Sequence, residues 1–178
     1  MPIGPFNITG DDLVAVTMLS IEIKTKTKNG ISPASAIHIE ERQPAINALL
    51  TQLPVHAKLH ELTGDEAVAL LLHKDSPAWR LWDLVLDALH GQGTDKWVAA
   101  YKLLARKRPH LLPIRDNDTW TALGRPSTRR FIWWELWWDA LSGNPAIIDR
   151  LKELREEAVA THLSLLRVAD IVVWKTTQ

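Results

Sequence analysis

Cysteine is absent from the 178 residues, which excludes a disulfide scaffold, a thiolate zinc site and a cysteine nucleophile. Long apolar runs are missing too: Ala67–Leu72 and Ile171–Trp174 fall far short of the ~20 residues that cross a bilayer. Met1–Thr9 holds no basic residue and no apolar stretch, so it does not read as a signal peptide. The expected setting is the cytoplasm, with no membrane partner. Net charge is zero, from 21 basic and 21 acidic residues. Tyrosine and phenylalanine are scarce, at one and two copies, against nine tryptophans. A 20.1 kDa chain with 46% hydrophobic residues is long enough to bury the core of one domain.

The zero net charge hides an uneven distribution. Lys96, Lys102, Arg106, Lys107, Arg108, Arg115, Arg125, Arg129 and Arg130 face only Asp116 and Asp118 between residues 96 and 130. A local basic patch holds a polyanion even on a neutral protein, because surface potential follows nearby charge. The plain alternative is a solvated basic face.

Helix signals recur along the chain. Asp11 or Asp12 suits the cap and first turn of a helix through Leu19. Ile21–Lys28 alternates apolar and polar residues but has no convincing partner strand, so it reads as an extended loop. Ser32-Pro33 and Gln43-Pro44 open short helices over Pro33–Glu41 and Pro44–Leu53, with proline where its missing N–H costs nothing. Thr63-Gly-Asp-Glu66 fits a capping box, and Ser76-Pro77 opens a helix with an apolar stripe from Trp79 to Leu89. Further helices are expected over Lys96–Arg106, Asn117–Leu123, Ser127–Leu141 and Ala146–Val159. In the tryptophan-rich one, Phe131, Trp134, Trp138 and Leu141 share a face, with Trp133 and Trp137 beside it. Leu163–Trp174 is apolar apart from Arg167 and Asp170 and reads as a central helix. The sum is one compact all-α domain over 1–178, of about nine or ten helices. Residues 1–10 and 24–31 are expected in loops, and 94–130 form the basic segment.

Chemistry-bearing groups are few. His56 and His60 have the i, i+4 spacing of metal ligands but lie after Pro54 without a third ligand, so neither a metal nor a cofactor is expected. Tryptophans at helical spacing belong to a core first and to base stacking second. Asp170 reads as a buried partner of Arg167. The remaining constellation is Gly91-Gln-Gly93, a helix from Lys96, and Pro113-Ile-Arg-Asp116. A glycine turn exposing N–H groups at a helix N-terminus can hold a phosphate. A carboxylate placed after that helix can stabilise positive charge developing at a sugar. Asp116 also suits the cap of the helix beginning at Asn117.

The chain resembles a family of bacterial all-α proteins without an established function. The resemblance rests on Asp12–Ser20, Trp97–Asp116, Phe131 with its tryptophan neighbours, and Leu165–Trp174. More remotely, the layout is similar to the helix-hairpin-helix DNA glycosylase superfamily. That likeness implies a glycosylase-like fold, with Asp116 as the matching carboxylate and Ala99 as the small helix residue. Trp97 falls near the position of the lysine nucleophile of bifunctional members, so lyase chemistry is not expected. The hairpin departs from the family pattern: its glycines stand about two residues early, with Thr94-Asp95-Lys96 where glycine is usual.

Three readings follow. The first is DNA binding through Lys96, Lys102, Arg106, Lys107, Arg108, Arg115, Arg129 and Arg130, with Asp116 catalytic if a base is flipped and excised. The second is a protein-binding module, such as an immunity, antitoxin or regulatory partner, anchored by Trp and Arg. Exposure of Trp133 or Trp137 would favour it. The third is a fold kept for a structural role after its site was lost.

Overall fold

Short polar side chains set where the helices begin. In the computed structural model, which describes residues 4–18, 30–89, 91–92, 95–124 and 132–176, Thr9 and Asp12 open α1 (Gly10–Thr17), the Thr9 N–H donating to Asp12 Oδ2 at 2.8 Å. After α2 (Ala34–Glu41) and α3 (Gln43–Gln52), a single tight turn at Leu59–Glu61 precedes α4 (Gly64–Ala67). There Thr63 and Glu66 exchange hydrogen bonds of 2.9 and 3.3 Å, the capping box that the sequence predicts. The chain then widens into one π-helical turn over Val68–Leu72. Ser76 Oγ accepts from Trp79 N to start α5 (Pro77–Ala88). Next come α6 (Asp95–Lys107), α7 (Asn117–Ala122) and α8 (Ile132–Ser142). Asn144 caps α9 (Pro145–Glu157), and Ser164 caps α10 (Leu165–Lys175). Each such cap is worth about 1 kcal/mol.

The core lies where α5 packs between α3 and α6. Trp79, Trp82 and Val85 of α5 meet Ala99, Ala100, Leu103 and Leu104 of α6, all buried. Aromatic rings continue the contact: Trp79 lies 4.7 Å from Trp134, and Trp82 lies 5.3 Å from Trp97 and 5.6 Å from Tyr101. Such tilted and edge-on pairs add about 0.5–1.5 kcal/mol beyond area burial.

Three expectations change. The buried stripe of α8 is Trp133, Trp134, Trp137 and Leu141, while Trp138 sits half-buried at its rim, donating from Nε1 to Leu62 O at 3.2 Å. The stripe is thus turned toward Trp133 and Trp137, because Trp120 of α7 packs on Trp133 at 5.7 Å; Phe131 lies outside the described residues. The helix α10 is peripheral, not central: it packs on α7 and α9 and leaves Ile171, Val172 and Trp174 exposed. Gly30–Ile31 pairs antiparallel with Gly91–Gln92, a contact between segments sixty residues apart that no local pattern signals. The loop read over Ile21–Lys28 lies outside the described residues, as do Gly93 and Thr94 of the hairpin-like turn.

Candidate nucleic-acid interface

The basic segment divides at the end of α6. Asp12 is fully buried and binds two of its cations, Arg106 Nε at 2.8 Å and Lys107 Nζ at 2.6 Å. Burial works to raise the Asp12 pKa, but Lys107, the Thr9 N–H and Arg106 outweigh it and hold the carboxyl below its ordinary value. Lys107 also donates to Gly4 O at 3.3 Å. The next residue, Arg108, is wholly buried, and its hydrogen bonds go to main-chain carbonyls. Nε donates to Leu53 O at 2.6 Å, Nη1 to Pro5 O and Lys107 O at 2.7 Å, and Nη2 to Leu50 O. Burial brings its pKa down to about 10. Leu50 and Leu53 close α3, so Arg108 supplies donors at a helix end, to Leu53 O and to Leu50 O, which also accepts from Leu53 N at 3.2 Å.

Lys107 and Arg108 are spent inside the protein and Arg106 is committed to Asp12, so the end of α6 is a structural anchor. Lys102 is also buried, at 8% exposure. Burial depresses its pKa, and the fields of Asp116 and Asp118 offset that in part. Lys96 is half-buried at the start of α6. Arg125, Arg129 and Arg130 lie outside the described residues.

Arg115 has a different fate. Pro113 keeps its segment extended, and the guanidinium carbon lies 4.1 Å from the centroid of the Trp120 ring, 5.7 Å from Tyr101 and 6.0 Å from Trp97. Three aromatic groups thus hold one cation. Its Nε is buried without an acceptor, and no hydrogen bond or ion pair within the described residues engages the group. A stacked guanidinium of this kind has its faces occupied while its N–H edge stays available to a planar or tetrahedral anion. Sequence reasoning picked Arg115 and missed the rings that hold it. Trp97 and Tyr101, spaced i, i+4 on α6, were the available signal.

Asp116 caps α7. Its Oδ1 accepts from Thr119 N and from Thr119 Oγ1, both at 2.9 Å, and its own N–H donates to Thr119 Oγ1 at 3.1 Å. Behind it, Asp170 of α10 lies 2.7 Å from Arg167 Nη1 and accepts from Ile114 N at 3.4 Å, the buried pair expected from the sequence. Burial pushes Asp170 up to about 7, against the opposing pull of Arg167 and Ile114. Trp133 and Trp137 are buried, which removes the observation that would have favoured the protein-binding reading. Among the described residues no group of three or more His, Asp or Glu is disposed to hold a metal, and no helix is long and apolar enough to cross a membrane.

The class of protein is therefore an all-helical domain with a half-buried, aromatic-held arginine. The chain belongs to DUF6308, a family of unknown function, whose model matches residues 4–177. No protein of curated function and no solved structure matches it.

Proposed function

We propose that this chain binds nucleic acid through Arg115, as a binding protein with no established chemistry of its own. What carries the reading is the Arg115 guanidinium, held by Trp97, Tyr101 and Trp120 with no hydrogen-bond acceptor among the described residues. Arginine stacked on aromatic rings is suited to phosphates and to unpaired bases. Lys96, with Arg129 and Arg130 from outside the described residues, completes the proposed contact set. Four phosphate-neutralising cations predict a salt slope for duplex binding of roughly −4, where all eight would give roughly −7.

The test is binding to duplex, single-stranded and abasic-site duplex DNA across a salt series. Arg115→Gln is expected to weaken binding at least about fivefold, the low end for losing a bidentate arginine contact, while the circular dichroism spectrum is unchanged. Equal affinity of wild type and variant would overturn the reading. The finer version, a glycosylase-like fold with Asp116 catalytic, makes a separate prediction: Asp116→Asn should abolish base release and leave binding intact. An unchanged release rate would remove that role.

A protein partner is the second reading, favoured by Ile171, Val172 and Trp174 of α10 and Leu123 after α7, apolar side chains that stand exposed at one corner. Absence of DNA binding even at low salt would pass the lead to it.

A further inference from the structure

Arg115 makes no side-chain hydrogen bond among the described residues, so apart from its rings its place is set by the main chain that carries it. That main chain has little to hold itself with: residues 112–116 lie in no helix or strand, and Pro113 has no N–H to give. The hold comes from α10. Ser164 Oγ, at its cap, donates to Pro109 O at 2.5 Å, and Arg167 Nε donates to the same oxygen at 3.3 Å. Arg167 Nη2 donates to Leu112 O. Asp170 Oδ2 accepts from the Ile114 N–H at 3.4 Å, one residue before Arg115. Past Arg115, Trp174 Nε1 donates to Asp118 Oδ2 at 3.3 Å. Arg167, Asp170 and Trp174 are three and four residues apart and so share one helix face. They meet Leu112, Ile114 and Asp118 in the same order, so helix and segment run side by side with Arg115 between the last two contacts.

Asp170 is a costly residue to keep there. It is buried, it pairs with Arg167 Nη1 at 2.7 Å, and its second oxygen, Oδ1, has no hydrogen-bond partner among the described residues. Burial raises its pKa, the mark of a carboxylate whose lost hydration is not fully replaced. A buried ion pair gives little net stability, because desolvation offsets the attraction. A carboxylate placed for stability would also use both oxygens. What this one does is fix the N–H next to the arginine that stacks on Trp120.

We propose that α10 sets the presentation of Arg115, with Asp170 as its positioning residue: through Ile114 it fixes where the guanidinium sits on Trp120. The consequence for ligand affinity rests on the nucleic-acid reading; the consequence for Arg115 itself does not.

The experiment follows the Arg115 Nε–Hε signal by NMR in the intact chain, with Arg115→Gln to assign it. A proton over an aromatic face is shifted upfield, so the signal reports the stacking directly. Asp170→Asn should move it toward the position of an unstacked arginine, while the Arg108 signal, fixed by its own carbonyls, stays in place. Trp174→Phe, at the exposed end of the same helix face, should move it in the same direction by less, and it decides the matter if the buried variant fails to fold. An Arg115 signal that stays put overturns the proposal, and so does an Arg108 signal that moves as far. Binding to DNA supplies the second reading. Asp170→Asn should weaken it at least about twofold in the wild-type background and not at all in Arg115→Gln, the coupling of two residues that act through one contact. Additive losses would overturn the proposal. A wild-type chain that binds no DNA overturns the nucleic-acid reading alone, because the Arg115 signal still gives its answer.

Discussion

Arg108 and Arg115 stand seven residues apart in one basic segment, and the protein treats them oppositely. Arg108 is sealed in the interior with its hydrogen bonds satisfied by carbonyls from the N-terminal segment and from α3. Arg115 is half-buried among aromatic rings, and its side chain makes no hydrogen bond among the described residues. Both lose water. Among the described residues, the first recovers hydrogen bonds inside the fold and the second does not. A charge count along the sequence measures how many cations there are; what a ligand meets depends on which of them the fold has already used.

The sharpest test of that contrast is the carboxylate that neutralises the end of α6. Asp12→Asn would leave Lys107 buried without its counter-charge and is expected to cost about 3–5 kcal/mol, read as a fall in the urea midpoint at neutral pH. A loss below about 1 kcal/mol would mean that the pair contributes little. A smaller effect separates the two arginines directly. Arg108→Met orphans several carbonyls and should cost about 3 kcal/mol, at about 1–3 kcal/mol for an unsatisfied buried group. Arg115→Met gives up a cation–π contact of about 0.5–2 kcal/mol and keeps an apolar side chain among the rings. Equal losses would erase the distinction between structural and available arginine.

A pH-dependent effect concerns Arg167, whose situation lies between the other two, since it bonds both a carboxylate and carbonyls. The folded pKa of its partner Asp170, about 7, lies above the ordinary aspartate value of 3.8. The folded state therefore holds that proton more tightly, so this contribution is complete below about pH 4 and is lost as pH rises toward 7. Asp170→Asn should remove that part of the slope. His60 and His110, with lowered values, contribute in the opposite sense and are common to both proteins, so the difference between the two stability curves isolates Asp170. Parallel curves between pH 4 and 7 would contradict the assignment.

Local chemistry was legible in the sequence. Thr63 and Ser76 cap helices near where they were expected to, because a cap needs only a side-chain oxygen and an N–H three residues on. Asp116 follows the same rule, so its capping role could be read and its neighbourhood could not. The face of α8 was legible only approximately, since which tryptophans turn inward depends on Trp120 of a different helix. The fate of the basic segment was not legible. Apart from the neighbouring Lys107 O, Arg108 finds its partners 55 to 103 residues away, and Arg106 finds Asp12 at a separation of 94. No spacing rule reaches across such loops. Arg115 was identified for its charge, whereas its distinction lies in three rings gathered from α6 and α7.

The bonds of Arg108 also bear on how long the fold persists once made. They close only when the N-terminal segment, the end of α3 and the end of α6 have all come together, so loop closure must precede any return from them. Interactions that are made only after the rate-limiting barrier in folding break before it in unfolding. Weakening them speeds escape from the native state and leaves the rate of reaching it nearly unchanged. Arg108 is thus a latch on lifetime: a protease that needs residues 4–9 or the end of α3 released would be held off by one guanidinium.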